Sequence, residues 1–460
     1  MPLSSSKTAQ VMSSKLKNTG LVFGGMAMLL VVLGWHCAEK KKPEVTFQTK
    51  HSFHLPKDEV NAAYPFINLN KNQLVFPSDS SAFDPVYSKL DQILFEGTGS
   101  LSILHMGGSH VQAGAVGHRM RELFDGLAWG LTEERGLMFP FRVSHTNSTI
   151  YTSSSYEGEW EGCRCAHRKH HCDWGMSGMV ASSVDDSSSF KTWAFRTDST
   201  LFVHDKVSLF YNVNTPHFEP EWSGTELPDS SFTDSTLQCK TWFFNSPIDT
   251  MSWTFVKQDS MATSIEIKGV LPENSSNRIT YHEIGVNGAS TSSYLRCEEM
   301  ESQLKAIVPD LVIFGIGIND AHVPESSFSS SEFIKRYDEL IRRCRAANSS
   351  VQFLFLTNND SYYRRRRPNP NGLKVQEAMY QLAAKHDAAV WDLFEIMGGY
   401  KSVVLWDDFG LAKSDKIHFT RKGYYLQAEL MYDALMESYG AHLISSSAND
   451  TGINLKSIDR

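Results

Sequence analysis

The sequence predicts an α/β fold, a parallel sheet covered by helices on both faces and split by an inserted β-sandwich. Short apolar runs alternate with stretches of helical period before residue 144 and after residue 274, the pattern of parallel strands joined by helical crossovers. Between those limits the chain turns rich in Ser, Thr and Trp, with short alternating runs such as Leu201-Phe-Val203 and Val207-Ser-Leu-Phe-Tyr211 and almost no helical period. With 460 residues, 41% of them hydrophobic and 12% aromatic, there is enough apolar surface for two cores.

Taken in order, Lys7, Lys15 and Lys17 precede an apolar run from Gly20 to Trp35 that continues through Cys37 and Ala38. Residues 1–38 therefore read as a signal anchor or signal peptide. The run is about long enough to span a slightly thinned bilayer, and Trp35-His36-Cys37 offers no small residues for cleavage, so an uncleaved anchor is the first expectation. It implies export to the periplasm or cell envelope, with the membrane as a partner through this segment. Residues 39–80 are polar with scattered Pro and Asn and are expected to be a tether.

The α/β domain is expected to begin at residue 81. Val86, Leu90, Ile93 and Leu94 mark an amphipathic helix, and Leu101 to Met106 form a short apolar strand that breaks at Gly107-Gly108. Val111, Ala115, Met120, Leu123 and Phe124 then recur at helical spacing, which places Ser109 between a strand's carboxyl end and a helix's amino end. Ligands bind at that edge of an open parallel sheet, where free N–H groups favour negative charge. Ser109 is thus a candidate nucleophile, although serine is equally a preferred helix cap.

The first part of this domain covers residues 81–143, the insert 144–274 and the second part 275–443. The second part begins with a strand over Arg278–Gly285. Strands at Leu311–Ile316, Val351–Leu356 and Ala388–Trp391 follow, alternating with helices over Phe333–Cys344, through Val375, Met379 and Leu382, and from Gly423 to about Glu437. Residues 444–460 are Ser- and Asn-rich and are expected to fray.

A net charge of −8 gives no case for nucleic acid as a partner and favours a neutral or small one. Seven cysteines leave one or two disulfides open without fixing the pairing. The run Cys163-Arg-Cys165-Ala-His167-Arg-Lys-His170-His171-Cys172 has the residue types of a zinc site but an irregular spacing, and no metal is assigned. Arg364 to Arg367 form a basic patch on a loop, either a solvated run or a site for an anionic glycan or lipid headgroup. The insert's tryptophans, Trp160, Trp174, Trp222, Trp242 and Trp253, read as sandwich core.

Three more loops follow strand ends and supply what serine ester chemistry needs. Gly285-Val-Asn287-Gly288-Ala-Ser290 has two glycines that let backbone N–H groups face a shared crevice. Gly317-Ile-Asn319-Asp320 places an amide where it can donate to a developing oxyanion. In Asp415-Lys-Ile-His418 the three-residue step lets the carboxylate orient the imidazole, which can then take the serine proton.

These four blocks resemble the SGNH or GDSL-type hydrolases, with Gly107-Gly-Ser109, Asn287-Gly288-Ala289, Gly317-Ile-Asn319-Asp320 and Asp415-Lys-Ile-His418 as the matching stretches. The resemblance implies the three-layer, flavodoxin-like SGNH fold, with Ser109 as nucleophile, His418 as general base and Asp415 orienting it. The oxyanion hole would come from the Ser109 and Gly288 backbone N–H groups and the Asn319 side chain. His110 and Asn287 are candidate substrate-binding residues, and no cofactor is implied. The family usually has Asp where this chain has Gly108. The wider stretch from His105 to Ala113, with a β-rich insert after it, is similar to the exported branch that contains bacterial peptidoglycan O-acetylesterases, whose insert resembles a carbohydrate-binding module. That implies an esterase removing O-acetyl groups from a cell-wall glycan through an acyl-serine. A carbohydrate O-acetyltransferase and a non-catalytic glycan-binding protein are the alternatives.

Overall fold

The computed structural model describes residues 53–451, apart from 128–130, 214–217, 260, 262 and 276–277. The expected anchor and the segments 1–52 and 452–460 lie outside the described residues. Among the described residues no helix is long and apolar enough to cross a membrane.

The central sheet has seven strands: β1 (Leu74–Val75), β2 (Ser100–Gly107), β3 (Thr132–Glu134), β4 (Arg278–Gly285), β5 (Leu311–Gly315), β6 (Gln352–Leu356) and β7 (Ala389–Trp391). Their order is β1-β7-β6-β5-β2-β4-β3. All neighbours run parallel except β1, which closes one edge antiparallel to β7. The chain moves from β2 to β4 on one side and returns to β5 on the other, so the order reverses at β2 and opens a crevice beyond the carboxyl ends of β2, β4 and β5.

Strand residues alternate between the sheet's two cores. Ile103, Ile313 and Leu354 face one core, whereas Leu104, Val312 and Phe353 face the other. Both faces are buried, which is why these strands read as continuous apolar runs. Helices Asp84–Asp91, Ala115–Asp125 and Arg421–Thr451 cover the first face, and Ser330–Ala347 and Asn371–His386 cover the second.

The insert is two antiparallel sheets of six and four strands. Trp160, Phe190, Trp242, Trp253 and Phe255 are buried among its packed residues, and Trp222 is half-buried beside them. This core is continuous with Leu104, Met106 and Val312 of the central sheet. Met138 and Val270 also exchange backbone hydrogen bonds of 2.9 Å across the junction.

Two expectations are corrected. From residue 53 on, the stretch expected as a tether is part of the domain: Leu55, Val60, Ile67 and Leu74 are buried, and Asn72 Oδ1 accepts from Trp391 Nε1 at 3.0 Å. These apolar residues are too widely spaced for a periodic signal, yet each seats in the core. The last helix continues to Thr451, beyond both its expected end near Glu437 and the start of the expected frayed tail, because Tyr439 still packs and donates to Asp91 Oδ1 at 2.5 Å. Cys163 and Cys172 form a disulfide, while Cys165, Cys239, Cys297 and Cys344 are free and buried.

Candidate active site

Gly285, Gly107 and Gly315 lie side by side in register at the carboxyl ends of β4, β2 and β5. A Cβ on Gly285 would stand 2.2 Å from the backbone nitrogen of Gln112, and one on Gly107 would stand 2.3 Å from Val111 Cγ2. The row lets the turn after β2 lie flat across the sheet edge. Ser109 therefore opens the short helix Ser109–Gln112 directly above the strand ends.

Over it stands the loop that precedes the last helix. Asp415 Oδ1 accepts the backbone N–H groups of Ile417 and His418, each at 2.9 Å, and Lys416 takes the left-handed conformation (φ 58°) that this tight turn requires. Asp415 Oδ2 lies 2.7 Å from His418 Nδ1, and His418 Nε2 lies 2.8 Å from Ser109 Oγ. Burial pushes the Asp415 carboxyl up, but the imidazole and the two N–H donors outweigh it and hold its pKa below the usual aspartate value. A carboxylate on Nδ1–H leaves Nε2 as the acceptor facing the hydroxyl, the tautomer a general base needs.

Gly288 and Asn319 flank the serine. Gly288 takes a left-handed conformation (φ 82°), and the Asn319 amide uses one proton on Ala289 O at 2.8 Å, leaving the other for an oxyanion. The two loops are tied together by Asp320, which is buried and accepts from Thr291 Oγ1 at 2.6 Å and Thr291 N at 3.0 Å. A Cβ on Gly108 would lie 3.1 Å from Asn319 Nδ2, so glycine there leaves the amide unhindered.

The cleft has a volume of about 500 Å³, and Ser109, Asn287, Gly288, Asn319 and His418 line it. His110 does not. Its ring stacks on His418 with centroids 5.1 Å apart, and its Nδ1 lies 3.1 Å from the Tyr424 hydroxyl. Burial, with the charge of His418, lowers its pKa to about 3. His110 therefore backs the His418 imidazole, which corrects its assignment to the substrate; a helical neighbour of Ser109 points elsewhere.

The sequence reading missed Gln112. Its Oε1 accepts from Asn287 N at 2.6 Å and its Nε2 donates to Asn147 O at 2.9 Å, so one buried side chain holds the loop after β4 and the start of the insert. Asn147 and Ser148 thereby become part of the cleft wall, together with His322, Lys413 and Tyr424.

Residues 267–426 match the model of the GDSL-like lipase/acylhydrolase family. No curated protein sequence matches the chain. Among solved structures, a peptidoglycan O-acetylesterase is similar over 80% of this chain and 99% of its own, at 20% identity and a TM-score of 0.61, which shows a shared fold. An acetyl xylan esterase aligns with 35% of this chain and 81% of its own at 20% identity and a TM-score of 0.27. A lipase/acylhydrolase from Enterococcus faecalis aligns with 35% and 77% at 21% identity and a TM-score of 0.28.

Proposed function

We propose that this chain, whose residues 267–426 match the model of the GDSL-like lipase/acylhydrolase family, is a carboxylic ester hydrolase and, more closely, an exported serine O-acetylesterase of cell-wall glycan. The observation that carries the reading is the unbroken line Asp415–His418–Ser109 beside the Asn319 amide at the floor of an open cleft. In the first half-reaction His418 Nε2 takes the Ser109 proton while Oγ attacks the acetyl carbonyl. The charge that develops on the carbonyl oxygen is held by the Ser109 and Gly288 N–H groups and the free proton of the Asn319 amide. The sugar alcohol leaves with the proton from His418, and water repeats the sequence on the acetyl-serine to release acetate.

Two further observations support the glycan and the compartment. The likeness to a solved peptidoglycan O-acetylesterase extends over 80% of the chain, more than the split α/β domain alone makes up. The basic and then apolar segment from Lys7 to Trp35 and the Cys163–Cys172 disulfide suit export to an oxidising compartment.

Fluorophosphonate labelling and acetate release from O-acetylated peptidoglycan test this. Wild type is labelled and releases acetate, and Ser109→Ala does neither. An unlabelled, inert wild type that still binds the glycan would overturn the enzymatic reading, and acetate moved to a glycan acceptor in place of water would make it a transferase.

A further inference from the structure

The loop that follows β6 supplies none of the groups assigned to the ester chemistry, yet it opens on five polar residues, Thr357-Asn358-Asn359-Asp360-Ser361, all of them buried. Burying polar groups is unfavourable unless they find hydrogen bonds. For Asp360 the cost is visible, because burial pushes its carboxyl up to about 6. An apolar run would fill the same space without that cost, so the use of this one lies in what its side chains hold. Two of them serve as scaffolding: Thr357 Oγ1 donates to Asp392 Oδ1 at 2.9 Å, and Asp360 Oδ2 accepts from Val403 N at 3.0 Å. Asn359 reaches elsewhere. Its amide nitrogen donates to Asp360 O at 3.0 Å and to Ile417 O at 2.9 Å, so both amide protons are used.

Ile417 O belongs to the peptide unit that precedes His418. The N–H of that same unit donates to Asp415 Oδ1 at 2.9 Å. The unit before it, between Lys416 and Ile417, is held alike: its N–H donates to Asp415 Oδ1 at 2.9 Å, and its carbonyl accepts from Tyr362 N at 2.9 Å. Two successive peptide units are therefore gripped at both ends, by Asp415 on one side and by the segment after β6 on the other. A peptide unit is planar and stiff, so a hold on its N–H and its carbonyl together fixes the plane from which the His418 side chain departs. The same segment also reaches the loop of Asn319, where Asn369 Nδ2 and Asn371 Nδ2 donate to Ala321 O at 3.0 and 3.1 Å. Ile417 and His418 line the cleft, whereas Asn359 is not among its lining residues.

We propose that Asn359 is a positioning residue for His418: with Asp415 as the opposing hold, it sets the approach of His418 Nε2 to Ser109 Oγ without touching substrate. The inference rests on the esterase reading and adds to it a residue outside the four loops that carry the chemistry. The imidazole and the hydroxyl now stand 2.8 Å apart, and a displacement of about 1 Å from such geometry can cost on the order of 100-fold in rate. Without the Asn359 amide the Ile417 carbonyl has no donor on that side, and the last peptide unit is held by its N–H alone.

The test compares wild type with Asn359→Ala and with Asn359→Asp, which keeps the size of the side chain but, when ionised, donates to neither carbonyl. Either variant suffices if the other does not fold. Turnover of p-nitrophenyl acetate per folded molecule is expected to fall by on the order of 10- to 100-fold, in kcat, with KM as in wild type. A second readout needs no turnover. The proton resonance of His418 Nδ1–H, deshielded by the Asp415 carboxylate and identified by its loss in His418→Gln, is expected to shift or broaden in the same variants. A merely structural Asn359 would lower the melting temperature and leave both readouts alone, so an unchanged resonance, or a kcat per folded molecule equal to that of wild type, overturns the proposal. A loss carried by KM alone overturns it as well. A wild type without esterase turnover sinks the esterase reading by itself, since the resonance still reports whether Asn359 holds the imidazole.

Discussion

Asp415→Asn separates the chemistry proposed for the Asp415–His418 loop from its shape. In wild type one carboxylate oxygen accepts two backbone N–H groups and the other faces His418 Nδ1 at 2.7 Å. Asparagine keeps the first oxygen, so the loop retains both backbone bonds. Its amide group then donates to Nδ1, which drives the proton to Nε2 and points a donor at Ser109 Oγ where an acceptor is needed. Turnover of p-nitrophenyl acetate should fall on the order of 10³–10⁴-fold, about 4–5.5 kcal/mol of transition-state stabilisation, with the thermal melt little changed. Asp415→Ala should lose activity and also stability, because two N–H groups lose their acceptor, which costs about 1–3 kcal/mol. A folded Asp415→Asn enzyme within tenfold of wild type would refute the tautomer argument.

Asn319→Ala removes the proposed side-chain oxyanion donor and should reduce kcat by ~10²–10³ with KM nearly constant; a loss confined to KM would move Asn319 to substrate binding. Gln112→Ala frees Asn287 N and Asn147 O together, and is expected to lower stability by about 1–3 kcal/mol and kcat by a further measurable factor, while Gln112→Glu, which keeps the acceptor for Asn287, recovers part of kcat. If both variants match wild type in melt and rate, the bridge is incidental. His204 is buried with neither ring nitrogen partnered, and burial, reinforced by Arg135 and Arg196, depresses its pKa to about 3. The unfolded chain takes up this proton near pH 6.5, so stability should fall as pH drops from about 6.5 toward 3, by up to ~1.4 kcal/mol per pH unit from this group. Urea midpoints of His204→Met against pH should show a flatter acid limb, and a limb parallel to wild type would rule His204 out as its source.

The parts of the fold legible in the sequence are those that repeat. Strands such as Leu311–Gly315 are buried on both faces and appear as unbroken apolar runs, and the alternating runs of the insert reflect sheets with one face turned inward. The four loops were legible because each joins a glycine or a tight turn to a polar group of defined chemistry. Residues 53–80 were not, since Leu55, Val60, Ile67 and Leu74 follow no period and reach the core singly. Gln112 was also hidden: its role depends on two backbone atoms, Asn287 N and Asn147 O, that meet only after folding. His110 was misplaced because sequence adjacency to Ser109 says nothing about the Tyr424 hydroxyl that waits for its ring.

Because Leu104, Met106 and Val312 share one apolar interior with Trp253 and Phe255, the inserted sandwich is not a bead that can be cut from its string. Expressed alone, it would present to water the surface that now meets the central sheet, and excising it would strip that sheet and remove Asn147 and Ser148 from the cleft that holds Ser109. Exchange of inserts between relatives should therefore succeed only when the residues beneath are exchanged with them, so that this enzyme and its appendage change as a single unit.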